Sequence, residues 1–314
     1  MKISVLEPLG IPTSLLKSKL RAAIGDDVEL TLYEDRDESE GSLIKRSQGS
    51  DVVVLSNIQF RESVLSKLPN LKMICVAFTG CDHIDLEYCR KNNIEVCNCA
   101  GYSTVAVADL VFAMVLSLSR NLIKCDEATR EGKTKNGLVG FELENKKFGV
   151  VGLGAIGTRV AKIAQAFGCE IYAASRTKKD IDGIKFTSLD EVLKNCDIVS
   201  LHVPQNKETK NMIGERELKL MKRNSILINC ARGPVVDTHA LVEALNAGVI
   251  AAAGVDVFDE EPPLSKDAEI LKAKNTLLTP HVAFASAQAF EKRADIIANN
   301  LKMYLKGEMI NKVI

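Results

Sequence analysis

The sequence predicts an α/β protein with two doubly wound parallel sheets, each covered by helices on both sides. Short β-branched runs alternate with helical patterns along all 314 residues. The alternation starts again near residue 100 with a helical stretch. The first strand after that stretch leads into a glycine-rich turn. The runs are almost continuously apolar, which is typical of strands buried on both faces of a parallel sheet.

The first domain is predicted from four strands, at 3–6, 28–33, 52–55 and 72–77. The last stretch, 287–306, is helical in pattern and has no strand after it, so we expect it to pack back on the first domain. The predicted domains are therefore 1–99 with 287–314, and 100–286. Two chain crossings would then join them, and a cleft between two α/β domains is a usual place for a small ligand.

The second domain is predicted to open with a long Ala/Val/Leu helix over 104–120. Six strands make a full doubly wound set. They are predicted at 148–151, 170–174, 197–201, 225–229, 253–257 and 276–278.

A glycine-rich turn joins the first of these strands to a helical stretch. It reads Gly152-Leu153-Gly154-Ala155-Ile156-Gly157. Gly152 permits the tight turn, Gly154 lets a pyrophosphate approach the backbone, and Gly157 lets helix and strand pack closely. Strand, turn and helix together indicate a Rossmann dinucleotide-binding domain; the alternative is a βα turn without a ligand.

The end of the next strand lacks the acid that usually binds the adenosine ribose. Ala174 is followed by Ser175-Arg176-Thr177-Lys178-Lys179, which offers donors and positive charge suited to a 2′-phosphate. We therefore favour NADP(H) over NAD(H). The alternative is that these are ordinary surface cations and either cofactor binds.

Three polar residues follow later strands of the second domain: Arg232, Glu261 and His281. Carboxyl ends of parallel strands share one edge, so the three side chains can converge there. Reduction of a 2-oxo acid needs a proton donor and a cation for the carboxylate. His281 assisted by Glu261 suits the first task, and Arg232 the second. The alternative is that each of the three is an ordinary loop or surface residue without a role in catalysis. His202, at another strand end, is predicted to contact cofactor.

Composition excludes several other classes of protein. Lys plus Arg and Asp plus Glu both number 41, so the zero net charge gives no field favouring nucleic acid. Nine cysteines form no CxxC pair or zinc-type spacing, which predicts reduced thiols and no metal site. No apolar run reaches the length of a membrane span, and the N-terminus is unlike a secretory signal. We therefore expect a cytoplasmic protein with no membrane partner.

Five motifs in order resemble the D-isomer-specific 2-hydroxyacid dehydrogenases, over essentially the whole chain. They are the glycine turn 152–157, Leu201-His202-Val203-Pro204 with Thr209, Asn229-Cys230-Ala231-Arg232-Gly233, Gly254-Val255-Asp256-Val257-Phe258 with Glu261-Pro262, and Thr279-Pro280-His281. The resemblance implies a flavodoxin-like substrate domain beside the Rossmann domain, and a homodimer.

The resemblance also assigns roles to residues. Arg232 is implied to bind substrate, Glu261 to assist, and His281 to act as the acid/base. In the first domain, the backbone amides of Thr79 and Gly80 are implied to bind the substrate carboxylate, with Tyr102 touching substrate. Cofactor contacts are implied for Ala155, Ile156, Val203, Pro204, Thr209, Cys230, Ala231 and Asp256, the last near the nicotinamide carboxamide.

Within the family, the stretch 281–286 and the Thr79-Gly80 loop most resemble the glycerate dehydrogenases, also called hydroxypyruvate or glyoxylate reductases. A phosphoglycerate dehydrogenase without the regulatory domain of the long forms is the alternative. A second alternative, from a different class, is a nucleotide-sensing protein similar to a corepressor. Formate dehydrogenase relatives carry Gln at the position of Glu261, which argues against that branch.

Overall fold

The structure is a computed structural model that describes residues 1–177 and 181–314. The predicted cofactor-binding cations Lys178 and Lys179 lie outside the described residues. The chain divides into two compact units, Met1–Ser103 with Ala285–Ile314, and Thr104–Phe284. The division falls at 103/104 and 284/285, whereas the sequence-based boundaries are 99/100 and 286/287.

The elements are numbered along the chain. The strands are β1 Lys2–Val5, β2 Glu29–Leu32, β3 Val52–Leu55, β4 Met73–Val76, β5 Glu95–Cys97, β6 Lys147–Val151, β7 Glu170–Ala174, β8 Ile184–Phe186, β9 Ile198–Leu201, β10 Ile226–Asn229, β11 Ala252–Val255 and β12 Thr276–Leu278. The helices are α1 Thr13–Ile24, α2 Glu40–Ser47, α3 Glu62–Leu65, α4 Leu86–Lys91, α5 Thr104–Ser119, α6 Leu122–Arg130, α7 Ala155–Ala166, α8 Leu189–Asn195, α9 Glu215–Leu220, α10 Thr238–Asn246 and α11 Ala287–Leu305.

The first unit contains a parallel sheet in the order β2-β1-β3-β4-β5. This is the flavodoxin-like order. Every residue of β3 and β4 is buried, as their unbroken apolar sequences predict. Helix α11 belongs to this unit: the buried Arg293 donates to the carbonyls of Leu9 and Ala77, at 2.6 and 3.2 Å.

The second unit contains a parallel sheet in the order β12-β11-β10-β9-β6-β7-β8. From β6 the strands proceed to β7 and β8 on one side and to β9 through β12 on the other. This is the Rossmann order with one added strand. Two apolar cores lie on the opposite faces of this sheet. The predicted class, two doubly wound α/β sheets, is confirmed.

Two short strands are absent from the sequence-based prediction. β5 pairs with β4, and β8 pairs with β7, and each is three residues long. A run of three residues is too short for its apolar pattern to be distinguished from a loop. It becomes a strand because it pairs with a neighbouring strand. The other predicted strands coincide with observed ones to within a few residues.

Helix α5 is strongly apolar and supplies Val111, Met114 and Val115 to one core of the second unit. Among the described residues, no single helix has the length and apolar character needed to cross a membrane. Taken together, α5 and α6 meet that test by length and composition, with a bend of 56° between them.

Candidate active site

The glycine turn lies where the order of the second sheet reverses, between β9 and β7. Gly152 donates its amide to the Ala174 carbonyl at the end of β7 (2.8 Å). On the other side, the amide of His202 donates to the Val151 carbonyl (2.7 Å). In an open α/β sheet, the crevice at such a reversal is the usual ligand site.

Two of the three glycines are required by close contacts, and the third faces open space. Gly152 has φ +95°, and a Cβ there would lie 2.6 Å from the His202 carbonyl oxygen. A Cβ on Gly157 would lie 2.0 Å from the Gly152 oxygen, so helix α7 crosses the turn closely. No atom lies within 4 Å of a Cβ built on Gly154. The turn therefore leaves open space at Gly154, just before the first amides of α7 at the exposed Ala155.

A cavity of about 670 Å³ opens over this turn. Its lining includes most of the predicted cofactor-binding residues: Gly152, Gly154, Ser175, Arg176, Thr177, His202, Val203, Pro204 and Thr209. A volume of this size, glycine amides on one wall and polar groups at the end of β7 fit the adenosine and phosphate portions of a dinucleotide. Ile156 is instead half-buried against the core under α7.

A tight turn over 204–209 forms the wall opposite β7. The Thr209 hydroxyl donates to the Pro204 carbonyl (2.6 Å) and accepts from the amide of Asn206 (2.9 Å). The Asn206 side-chain oxygen accepts from the amides of Glu208 (2.8 Å) and Thr209 (3.1 Å). Thr209 thus lines the cavity while its hydroxyl maintains the turn.

His202 is held as a neutral side chain at the end of β9. Desolvation lowers the pKa of its imidazole to about 3. Its Nε2 is 2.9 Å from the Ser200 hydroxyl. The imidazole can therefore serve as a hydrogen-bonding group toward cofactor and not as a cation at neutral pH.

The Arg232 turn follows β10 and is fixed by the buried side-chain amide of Asn229. Asn229 donates through Nδ2 to the Arg232 carbonyl (2.9 Å) and accepts from the amide of Ala231 (3.1 Å). The Arg232 side chain is half-buried and donates to the Ala231 carbonyl (2.8 Å). Cys230 is buried with its Sγ 3.9 Å from the sulfur of Met114, so any cofactor contact here falls to its backbone.

The strands that precede the three predicted catalytic residues are neighbours in the sheet and end in register. Asn229 pairs with Val255, and Val255 pairs with Leu278. The turn after β10 also packs directly on the loop after β11, because a Cβ on Gly233 would lie 1.9 Å from the carbonyl of Phe258. Arg232, Glu261 and His281 therefore follow three adjacent strand ends at one edge.

His281 and Glu261 are hydrogen-bonded to each other. The imidazole Nδ1 lies 2.7 and 3.0 Å from the two carboxylate oxygens. The His281 side chain is 10% exposed and the Glu261 side chain 53%, and the ring of Phe284 contacts the imidazole edge-on. With Nδ1 bonded to a carboxylate, the ring is oriented and its Nε2 is left to face a substrate, which suits a general acid.

Asp256 fixes the turn that carries His281. Its carboxylate accepts from the Thr279 hydroxyl (2.5 Å) and from the amides of Val282 and Ala283 (both 2.9 Å). Its carbonyl accepts from the amide of His281 (2.8 Å), a residue with φ +53°. Asp256 is fully buried, and burial raises the pKa of its carboxyl. The family resemblance implies that Asp256 lies near the nicotinamide carboxamide; the structure adds that its carboxylate bonds to Thr279 and to the backbone of the His281 turn.

In the first unit, the predicted substrate loop follows β4. Thr79 is exposed, and its carbonyl accepts from the Asn98 side chain (2.8 Å). Gly80 is half-buried. Tyr102 is buried, its ring lies near Phe78 and the guanidinium of Arg293, and burial raises the pKa of its hydroxyl.

Three polar groups that contact predicted site residues in the second unit are absent from the sequence-based prediction: the Asn229 amide, the Glu208 carboxylate, and the Ser200 hydroxyl beside His202. Asn229 stands in a quoted motif, and its polar side chain at the end of an apolar strand is a signal that could have found it. Within residues 1–177 and 181–314, no group of three or more His, Cys, Asp or Glu side chains could hold a metal ion.

Comparisons with known proteins show the family to which the chain belongs. Residues 112–283 match the family model "D-isomer specific 2-hydroxyacid dehydrogenase, NAD binding domain". The chain is 41% identical over 295 residues to a glyoxylate reductase of Thermococcus litoralis, covering 90% of this chain and 88% of that protein.

Solved structures match over nearly the whole chain. An acyclic imino acid reductase, Bsp5, in complex with NADPH and D-Arg, is 30% identical, with a TM-score of 0.92 and full coverage of both chains. A D-lactate dehydrogenase from Aquifex aeolicus, complexed with NAD and lactic acid, is 32% identical with a TM-score of 0.87, covering 98% of this chain and 96% of that one. Structures similar to this chain thus contain either nicotinamide cofactor.

Proposed function

Since the chain belongs to the D-isomer-specific 2-hydroxyacid dehydrogenases, we propose that it uses Arg232, Glu261 and His281 to reduce a small 2-oxo acid of the glyoxylate or hydroxypyruvate type, with NADP(H) preferred. It is an oxidoreductase that couples a nicotinamide dinucleotide to a 2-oxo acid such as glyoxylate. The observation that carries the assignment of residues is the His281–Glu261 hydrogen bond at the carboxyl edge of the second sheet.

A nicotinamide held at the carboxyl edge of the second sheet would supply the hydride that the carbonyl carbon of the substrate accepts. His281 donates a proton from Nε2 to the carbonyl oxygen, so that the ketone becomes a hydroxyl. Glu261 orients the imidazole through its hydrogen bond to Nδ1. Arg232 pairs with the substrate carboxylate and polarises the carbonyl.

The remaining site residues are proposed from the family resemblance and their placement. Thr79 and Gly80 bind the substrate carboxylate through their amides, and Tyr102 shapes the substrate pocket. On the cofactor side, the cavity residues hold the adenosine and the phosphates. Ala155 and Ile156 contribute through the α7 amides, and Cys230 and Ala231 contribute through their backbone. Asp256 acts on the nicotinamide side by fixing the His281 turn.

The preference for NADP(H) is supported by the groups at the end of β7. Ser175, Arg176 and Thr177 line the cavity where other family members carry an acid. A carboxylate there would repel a 2′-phosphate, whereas a guanidinium and hydroxyls bind it. NAD(H) remains the alternative, and a tenfold or greater preference for NADH would overturn the proposal.

The function is tested with a substrate panel. Glyoxylate, hydroxypyruvate and phosphohydroxypyruvate are assayed with NADPH and with NADH, following nicotinamide absorbance. We expect turnover with the first two and a lower KM for NADPH. Preference for the phosphorylated substrate would favour a phosphoglycerate dehydrogenase. No turnover with any 2-oxo acid would favour the nucleotide-sensing alternative.

A homodimer is proposed as well, and the surface around α6 supports it. Helix α6 has no buried residue: Leu122 and Ile123 in its first turn are 51% and 52% exposed, and Val139, which follows the helix in the chain, is 84% exposed. Large apolar side chains grouped in this way are typical of an interface. Sedimentation equilibrium should give twice the chain mass of 34.2 kDa; Val139→Asp is expected to shift the protein toward monomer, and a monomeric parent would contradict the proposal.

A further inference from the structure

An ion pair bridges the two walls of the cofactor cavity. Arg176, on the loop after β7, lies with Nη1 3.2 Å from Oε2 of Glu208, on the loop after β9. The side chains are 79% and 71% exposed. Among the described residues that line the cavity, Glu208 carries the one carboxylate and Arg176 the one guanidinium.

The backbone that carries Glu208 is fixed even though its side chain is exposed. The amide of Glu208 donates to the Asn206 side chain (2.8 Å), and the turn is closed by the Thr209 hydroxyl on the Pro204 carbonyl (2.6 Å). The carboxylate is therefore presented from a rigid wall toward the residues at the end of β7.

We propose that Glu208 is a specificity-determining residue that weakens NADPH binding by competing with the 2′-phosphate for Arg176. The proposal rests on the proposed function, in which Arg176 recognises that phosphate. A 2′-phosphate approaching Arg176 must displace the Glu208 carboxylate and then lie beside its negative charge. NADH has no 2′-phosphate to bind Arg176, so the ion pair between Arg176 and Glu208 persists when NADH binds.

The effect is modest because the pair is exposed. Exposed ion pairs contribute about 0.2–1 kcal/mol, which corresponds to roughly a 1.4- to fivefold change in a dissociation constant. Screening by salt reduces the interaction between exposed charges, so the effect is largest at low ionic strength.

The test compares Glu208→Gln with the parent enzyme and a matched control, Glu215→Gln. The Glu215 side chain is 76% exposed, close to the 71% of Glu208, and pairs with Lys219 on α9; it is not among the residues lining the cavity. Dissociation constants of NADPH and NADH are measured by fluorescence titration at low and high salt. We expect Glu208→Gln to bind NADPH about 1.4- to fivefold more tightly at low salt, with NADH changed less than that and the control unchanged.

Arg176→Gln separates the possible failures. In the Arg176→Gln background, Glu208→Gln should no longer improve NADPH binding. If Arg176→Gln weakens NADPH alone but Glu208→Gln leaves the NADPH/NADH ratio unaltered, the competition by Glu208 is refuted while the cofactor preference stands. If Arg176→Gln affects both cofactors equally, the preference for NADP(H) itself is refuted. Weaker NADH binding by Glu208→Gln would show a ribose-binding acid and overturn the competition.

Discussion

Replacing Asp256 with Asn should loosen the turn that presents His281. The carboxylate accepts three hydrogen bonds, from the Thr279 hydroxyl and the amides of Val282 and Ala283. An Asn side chain keeps one carbonyl oxygen for the first two donors. Its amide group then faces the amide of Ala283, which is left buried without an acceptor.

An unsatisfied buried donor costs about 1–3 kcal/mol, and bonds to a neutral oxygen are weaker than bonds to a carboxylate. The Asn variant no longer buries an ionisable carboxyl, and this gain offsets part of the loss. We therefore expect a net destabilisation of about 1–3 kcal/mol. That corresponds to an unfolding temperature lower by roughly 2–4 °C per kcal/mol. Displacement of the His281 ring should lower kcat by about tenfold or more.

The pH dependence has a definite sign. Because burial raises the pKa of the Asp256 carboxyl above its ordinary 3.8, its contribution to stability is fully present below pH 3.8 and declines as pH rises through the folded-state pKa. Asn does not titrate. The destabilisation by Asp256→Asn should therefore be larger at pH 4 than at pH 7.

The assay is urea unfolding at both pH values, with kcat measured at pH 7. Asp267→Asn is the matched control, since the side chain of Asp267 is 96% exposed and lies 3.8 Å from Lys272. An Asp256→Asn variant with the parent's unfolding midpoint and full kcat would show that the carboxylate does not hold the turn.

Three further predictions concern the same unit. His281→Ala should reduce kcat by about 10²–10⁴ with NADPH affinity unchanged by titration, and a fully active variant would remove His281 from the mechanism. Gly152→Ala should cost about 1–3 kcal/mol in urea unfolding and weaken NADPH binding about tenfold or more, because φ is +95° and the Cβ meets the His202 carbonyl; parent-like stability would contradict this. Since the pKa of His202 falls from 6.5 to about 3, the parent should lose up to about 2 kcal/mol more than His202→Gln between pH 6.5 and pH 5; parallel unfolding curves would refute it.

Much of the architecture was predictable because buried parallel strands carry an apolar pattern of their own. The family resemblance, the class of fold and the class of enzyme were confirmed, while the roles of individual site residues stay predictions. β5 and β8 were not predicted, because three residues contain too little pattern to indicate a strand. Each forms a strand by pairing with a neighbour, β4 or β7.

Side-chain direction was the part that sequence could not supply. The motifs that contain Asp256 and Cys230 do not reveal that the carboxylate of the first bonds to the His281 turn or that the thiol of the second packs on Met114. The sequence does not predict a role for Glu208, because that role depends on an ion pair with Arg176 from a different loop. Such relationships arise only when distant segments are brought together by the fold.

The positive φ of His281 has a consequence for anyone who dissects the reaction by mutagenesis. Alanine at this position removes the imidazole and also forces an L-residue without a compensating side chain into a left-handed conformation, at about 1–2 kcal/mol. Asparagine tolerates that conformation. The difference in folding stability between the two variants measures the backbone contribution, and the turnover that both lose measures the chemistry.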